Sequence, residues 1–140
     1  MPVATTGFSH ARLTVTDIAR SRAFYEAVFG FPVAFEIPEG ADAATREQLA
    51  FLYGGVIYAV PGGLLGLRPV AAEADRFDED RVGLDHLSFA VADLAALEGA
   101  VALFEDLDVS YSPIKDLGAG HVLEFRDPDG IALEFFARNG

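Results

Sequence analysis

Two stretches far apart in the chain alternate between apolar and polar residues in the same way. From Phe8 to Asp17, the residues Ala11, Leu13 and Val15 share one side of an extended strand. Phe8, His10, Arg12 and Thr14 share the other. From Leu84 to Asp93, the same pattern puts Leu87, Phe89 and Val91 on one side and Leu84, His86, Ser88 and Ala90 on the other. Laid over one another, the stretches match His10 with His86, Leu13 with Phe89, Val15 with Val91 and Asp17 with Asp93. Each then passes into apolar spacing of helical period. After Asp17 the apolar positions are Ile18, Tyr25, Val28 and Phe29, and after Asp93 they are Leu94, Leu97, Val101 and Phe104. The two aspartates can cap these helices by accepting first-turn N–H bonds. Gly30 supplies a left-handed stop for the first.

Strand-like segments follow each helix. The first half predicts strands over Phe31–Ile37, Leu49–Tyr53, Val56–Val60 and Leu64–Val70. The second predicts Val109–Ser112, His121–Arg126 and Ile131–Ala137. Asp127-Pro128-Asp129-Gly130 reads as a tight turn between the last two, since proline presets the second position and glycine suits the fourth. Residues 71–83 are charged and poor in large apolar side chains, so they read as an acidic linker, and Pro38–Glu47 reads as a polar loop. The expected fold is therefore α+β: one domain, residues 1–140, of two βαβββ modules over about 6–70 and 84–138. Two such sheets side by side would enclose a concave, barrel-like cleft.

Composition narrows the partners. With 22 Asp and Glu against 10 Lys and Arg, the net charge of −12 disfavours nucleic acid and anionic membranes and suits a cytoplasmic surface. No cysteine is present, which excludes thiolate chemistry and disulfides. Met1 to Phe8 has no apolar signal-like run. The uncharged stretch Gln48–Leu67 is long enough to span a bilayer by count, but Gly54-Gly55 and Pro61-Gly62-Gly63 cut it into strand-sized pieces.

The candidate chemistry lies on the polar faces. His10 and His86 occupy equivalent points of the two halves. In the last strand Ala132, Glu134 and Phe136 share a face, and Glu134 is flanked by apolar neighbours. A carboxylate in such surroundings needs a partner. Two imidazoles and a carboxylate are a sufficient set for a divalent cation with open positions. His121 and Arg12 are weaker candidates, the first for acid–base work and the second for an anionic substrate group or a carboxylate partner. Tyr53, Tyr58 and Phe136 are either core or pocket lining.

His10-x-x-Leu13-x-Val15-x-Asp17, with Ser21, Phe24-Tyr25 and Phe29-Gly30-Phe31, resembles the opening of vicinal oxygen chelate proteins. This is the superfamily of glyoxalase I, bleomycin-resistance proteins and extradiol dioxygenases. Phe125-Arg126-Asp127-Pro128-Asp129-Gly130, followed by Glu134, resembles their close. The resemblance implies paired βαβββ modules, metal ligands on the first and last strand of each, and a homodimer. His10, His86 and Glu134 fall on three of the four ligand positions, and Gly66 falls on the fourth. Glyoxalase I-type members usually carry a carboxylate there, so this chain departs from them. It departs from the dioxygenases too, because Glu124 stands where they carry a tyrosine and His121 comes too late in the chain. The sequence therefore leads to an enzyme dependent on a divalent metal (Fe, Mn, Ni, Zn or Co), acting on a small molecule with vicinal oxygens. The alternative is a metal-free binder of a drug or metabolite, for which the acidic charge would suit a cationic ligand. A regulatory domain ranks below both.

Overall fold

The computed structural model describes residues 1–140 and divides into two compact units, Met1–Ala74 and Asp75–Gly140. In the first unit the order is β1 (His10–Thr14), α1 (Ile18–Phe29), β2 (Val33–Phe35), α2 (Ala43–Gln48), a 3-10 turn (Ala50–Leu52), β3 (Val56–Val60) and β4 (Gly63–Arg68). In the second it is β5 (Leu87–Val91), α3 (Leu94–Leu107), β6 (Lys115–Asp116), β7 (Gly120–Arg126) and β8 (Ala132–Arg138). The sheets run β1-β4-β3-β2 and β5-β8-β7-β6. In both, the first strand pairs parallel with the last and the remaining pairings are antiparallel, so the two units share one βαβββ topology. No helix is long and apolar enough to cross a membrane.

Local chemistry fixes the helix ends. The Asp17 and Asp93 side chains accept from the backbone N–H of Arg20 and Ala96, meeting donors that have no partner inside the helix. Gly30 ends α1 at φ 65° and donates its N–H to the Glu26 carbonyl. Asp108 ends α3 in the same left-handed region without being glycine.

Each helix seals one face of its sheet. In the first unit Leu13, Val15, Tyr25, Tyr58, Leu65 and Leu67 are all buried. In the second, Phe104 lies 4.6 Å from Phe125 and 6.3 Å from Phe135 between ring centroids. Phe125 and Phe135 are 4.8 Å apart, which completes an aromatic core. The Asp127–Gly130 turn closes β7 onto β8. Asp127 accepts from the N–H groups of Asp129 and Ile131 at 2.8 and 2.9 Å, and Asp127 and Asp129 are both buried.

Several expected elements differ. Leu49–Tyr53 is not a strand, because Ala50–Leu52 turns as a 3-10 helix and delivers Leu52 into the core. The loop Pro38–Glu47 contains most of the short helix α2, capped by Asp42, whose side chain accepts from the Thr45 N–H. Val109–Ser112 makes only an isolated bridge, Tyr111 to Phe125, and the edge strand forms later at Lys115–Asp116. The second part of the acidic linker is tied into its own unit. Phe77 donates its N–H to the Asp129 carbonyl, and Glu79 pairs with Arg126 at 2.6 Å.

Phe104 is fully buried at the centre of the aromatic cluster, so Phe104→Ala should cost about 3–5 kcal/mol of stability. Val82→Ala, at a fully exposed position, should change it by less than about 0.5 kcal/mol. Urea unfolding followed by circular dichroism compares the two directly.

Candidate functional site

In the second unit the face away from α3 carries polar side chains around a cavity of about 310 Å³. Asp85, His86, Glu124, Arg126 and Glu134 all line it. Parallel pairing of β5 with β8 sets Ser88 opposite Glu134, and antiparallel pairing of β7 with β8 sets Glu124 opposite the same Glu134. His86 lies one residue before β5, so its ring reaches over the start of β8. Its Nε2 is 3.5 Å from Glu134 Oε2. Its Nδ1 is 2.6 Å from Asp85 Oδ1.

This arrangement suits a cation. A carboxylate that accepts from Nδ1–H fixes the tautomer and leaves the Nε2 lone pair free, the usual outer-shell device of metal-binding histidines. Two donors each ~2.1 Å from one ion stand ~3.0 Å apart at a right angle and ~3.4 Å apart at the tetrahedral angle. The observed 3.5 Å separation is close to the upper value. Within neither unit does a group of three or more His, Asp and Glu side chains stand together as a metal site. Of the three expected ligands, His86 and Glu134 are the two that this unit brings together.

Without an ion, the same neighbours favour the protonated ring. The hydrogen bond that the ring donates to Asp85 raises the His86 pKa above its usual 6.5. Partial burial opposes that rise, and the charges of Glu134, Asp85 and Glu124 add to it. Around the rim, Arg126 holds Glu79 down to about pKa 2. Arg126 also donates to the Gly130 carbonyl at 3.0 Å, so the linker, the turn and the site wall are joined. Lys115 Nζ reaches Glu124 Oε2 at 3.1 Å.

In the first unit His10 occupies the equivalent place. Its Nδ1 is 2.9 Å from Ser9 Oγ, so Ser9 stands to His10 as Asp85 stands to His86. Arg12 lies on the same face and donates to the Phe51 carbonyl at 2.5 Å. Gly66 faces Arg12 across the β1–β4 pair, the counterpart of Glu134 facing Ser88.

The remaining candidates separate. The structure does not bring His121 to His86 and Glu134. Along β7 it alternates with Glu124's face and falls on the side of the core residues Leu123 and Phe125, with Asp116 at 3.9 Å from its Nε2. Tyr58 is core, and burial pushes its phenol pKa up. Tyr53 is exposed, with the Arg68 guanidinium 4.4 Å above its ring. Phe136 is half-buried on Glu134's face. The contributions of Ser9, Asp85 and Glu124 were not among the expected site residues. The signal available was the polar residue immediately before each histidine at matched positions.

The model of the glyoxalase/bleomycin resistance protein/dioxygenase superfamily matches residues 7–135, and the chain belongs to that superfamily. The uncharacterized protein YaeR of Escherichia coli strain K12 is 32% identical over 129 residues, covering 91% of this chain and 92% of that protein. A glyoxylase/bleomycin resistance protein/dioxygenase domain from Frankia sp. EAN1pec superposes with a TM-score of 0.76 at 27% identity, over 97% of this chain and 100% of that one. The fosfomycin resistance protein FosX of Listeria monocytogenes, complexed with Mn(II) and sulfate, superposes with a TM-score of 0.70 at 17% identity. It covers 97% of this chain and 93% of its own, and shows the same fold.

In metal-free protein the His86 ring should titrate with a midpoint above 6.5, and Asp85→Asn should lower that midpoint by removing the anion that stabilises the imidazolium. A proton NMR titration of the ring Cε1–H reads both. An unchanged midpoint in the variant would contradict the assigned cause.

Proposed function

We propose that this protein is a divalent-metal-dependent enzyme acting on a small molecule that bears two adjacent oxygens, working in the cytoplasm as a homodimer. The observation that carries this reading is the His86–Glu134 pair: two donor atoms 3.5 Å apart, with the far ring nitrogen held by Asp85. His10, whose Nδ1 lies 2.9 Å from Ser9 Oγ, is the third donor, contributed by the same chain or by the second copy of a dimer. The Mn(II) in the FosX crystal supports the same class of ion.

The residues around this pair divide the work. Asp85 orients the His86 ring with Nε2 directed at the ion, which takes the place of the Nε2 proton, and Ser9 contacts His10 Nδ1 at 2.9 Å. Glu134 supplies one negative charge. Gly66 supplies nothing where a fourth ligand would stand, which leaves positions for the two substrate oxygens. A bound divalent ion would act as a Lewis acid on whichever of those oxygens gains negative charge. Arg126, fixed to Glu79 and Gly130, keeps the cavity wall in place.

Elemental analysis of protein purified without chelator should find a transition metal at stoichiometric level. His86→Ala and Glu134→Gln should each lose it, and Asp85→Asn should weaken retention by about 10–100-fold. Metal-free protein that instead binds a cationic aromatic compound tightly would overturn the enzyme reading in favour of a sequestering protein.

A further inference from the structure

The two histidine-bearing faces share a backbone plan and little else. Strand register makes Ser88, Glu124 and Glu134 of the second unit equivalent to Arg12, Ile57 and Gly66 of the first. Where one face has a hydroxyl and two carboxylates, the other has a guanidinium, a branched alkyl group and a glycine.

The glycine has a steric role. A Cβ built on Gly66 would lie 3.0 Å from Arg12 Cγ and 3.4 Å from Ile57 Cγ1. Gly66 is therefore the clearance that lets the Arg12 stem lie across β4. Arg12 donates to the Phe51 carbonyl, and no carboxylate pairs with it although the chain has 22 of them. Arg22 and Arg126, by contrast, are both paired with glutamates. A guanidinium has five donors and a fork that matches a carboxylate, so Arg12 has donors left over.

Beside it lies an apolar cavity of about 240 Å³, walled by Phe35, Phe51, Ile57, Leu64 and Gly66, with His10 and Arg12 at its edge. Phe35 and Phe51 are 47% and 48% exposed, a large apolar area for one face of a small unit to leave open. Its volume is below the roughly 300–1,000 Å³ of pockets for drug-sized ligands, so it suits one ring or a branched alkyl group.

We propose that this face binds a small aromatic or branched-alkyl carboxylate, with Arg12 on the carboxylate and the apolar group between Phe35, Phe51, Ile57 and Leu64. The inference rests on the metal-enzyme reading for its biological sense and names the substrate class: an organic acid whose oxygens are presented towards His10. It reverses the expectation of a cationic ligand drawn from net charge. The charge within reach of this cavity is the positive one on Arg12, and local charge outweighs the average over the surface.

The test uses the full chain, both as purified and after chelator treatment, with phenylacetate as probe and benzylamine and benzyl alcohol as controls. Isothermal titration and amide chemical-shift mapping should show saturable phenylacetate binding at Arg12, Ile57 and Leu64 in both preparations. Benzylamine should bind at least tenfold more weakly. Arg12→Gln should weaken phenylacetate at least tenfold and leave benzyl alcohol unchanged. Gly66→Glu, whose added Cβ meets only side chains, should also weaken phenylacetate at least tenfold by pairing with Arg12. Thermal melts of both variants verify folding. Absence of saturable phenylacetate binding, equal binding of benzylamine, or an indifferent Arg12→Gln would each overturn the proposal. Because chelator-treated protein is included, loss of the metal reading and loss of this one register in different measurements.

Discussion

Alternation along a half-buried strand is the constraint on which both units depend. Because successive side chains point to opposite faces, sealing one face with a helix commits every second residue to the core and every other one to the open side. With Leu13 and Val15 buried under α1, His10, Arg12 and Thr14 have to be on the other face. With Leu133, Phe135 and Ala137 buried, Ala132, Glu134 and Phe136 have to be on theirs. A one-residue slip of β8 would expose two large apolar side chains and bury Glu134 against Phe104. Burying an unpaired carboxylate costs several kcal/mol, so the core holds Glu134 in register without touching it. Parallel pairing of the first strand with the last adds the second half of the constraint. It sets the histidine of one strand beside the carboxylate position of another that lies nearly fifty residues away in sequence.

What could be read from the sequence follows from how local its cause is. Asp17, Asp93 and Gly30 act within one turn of themselves, and Asp127 to Gly130 within four residues, so composition at those positions was enough. The faces of β1, β5 and β8 were legible because period two is unambiguous once a core side is chosen. Leu49–Tyr53 was not, since five mostly apolar residues fit a buried strand and a tight turn equally. Only packing of Leu52 into the core decides. The short helix α2 did have a signal, the capping residue Asp42, but its six residues make fewer than two turns, too few for a helical period to register. The edge strand at Lys115–Asp116 depends wholly on the neighbour it pairs with, β7.

The site shows the same division. Matched positions of His10 and His86 could be read by alignment of the two halves, and Glu134 by its apolar flanks. The contacts of Ser9 and Asp85 could not, because they depend on which way each ring is turned. His121 was undecided for a related reason: being in a strand beside Glu134's does not say which face it takes. Counting along β7 from Phe125, which the aromatic cluster fixes in the core, puts His121 on the core side.

The repeat also separates what the fold requires from what the chemistry has chosen. The histidine, the polar residue before it and the capping aspartate recur in both units, so they belong to a common plan. On the open faces the other matched positions, Arg12 and Ser88, Ile57 and Glu124, Gly66 and Glu134, differ in charge or size. The second unit gathers carboxylates, whose mutual repulsion a cation would relieve, and this is the stronger electrostatic reason for an ion to sit there. The first unit offers His10, a guanidinium and an apolar wall, and the guanidinium and wall would attract an organic anion. The difference is chemical rather than topological: two units of one fold carry an acidic open face in one case and a cationic, apolar one in the other.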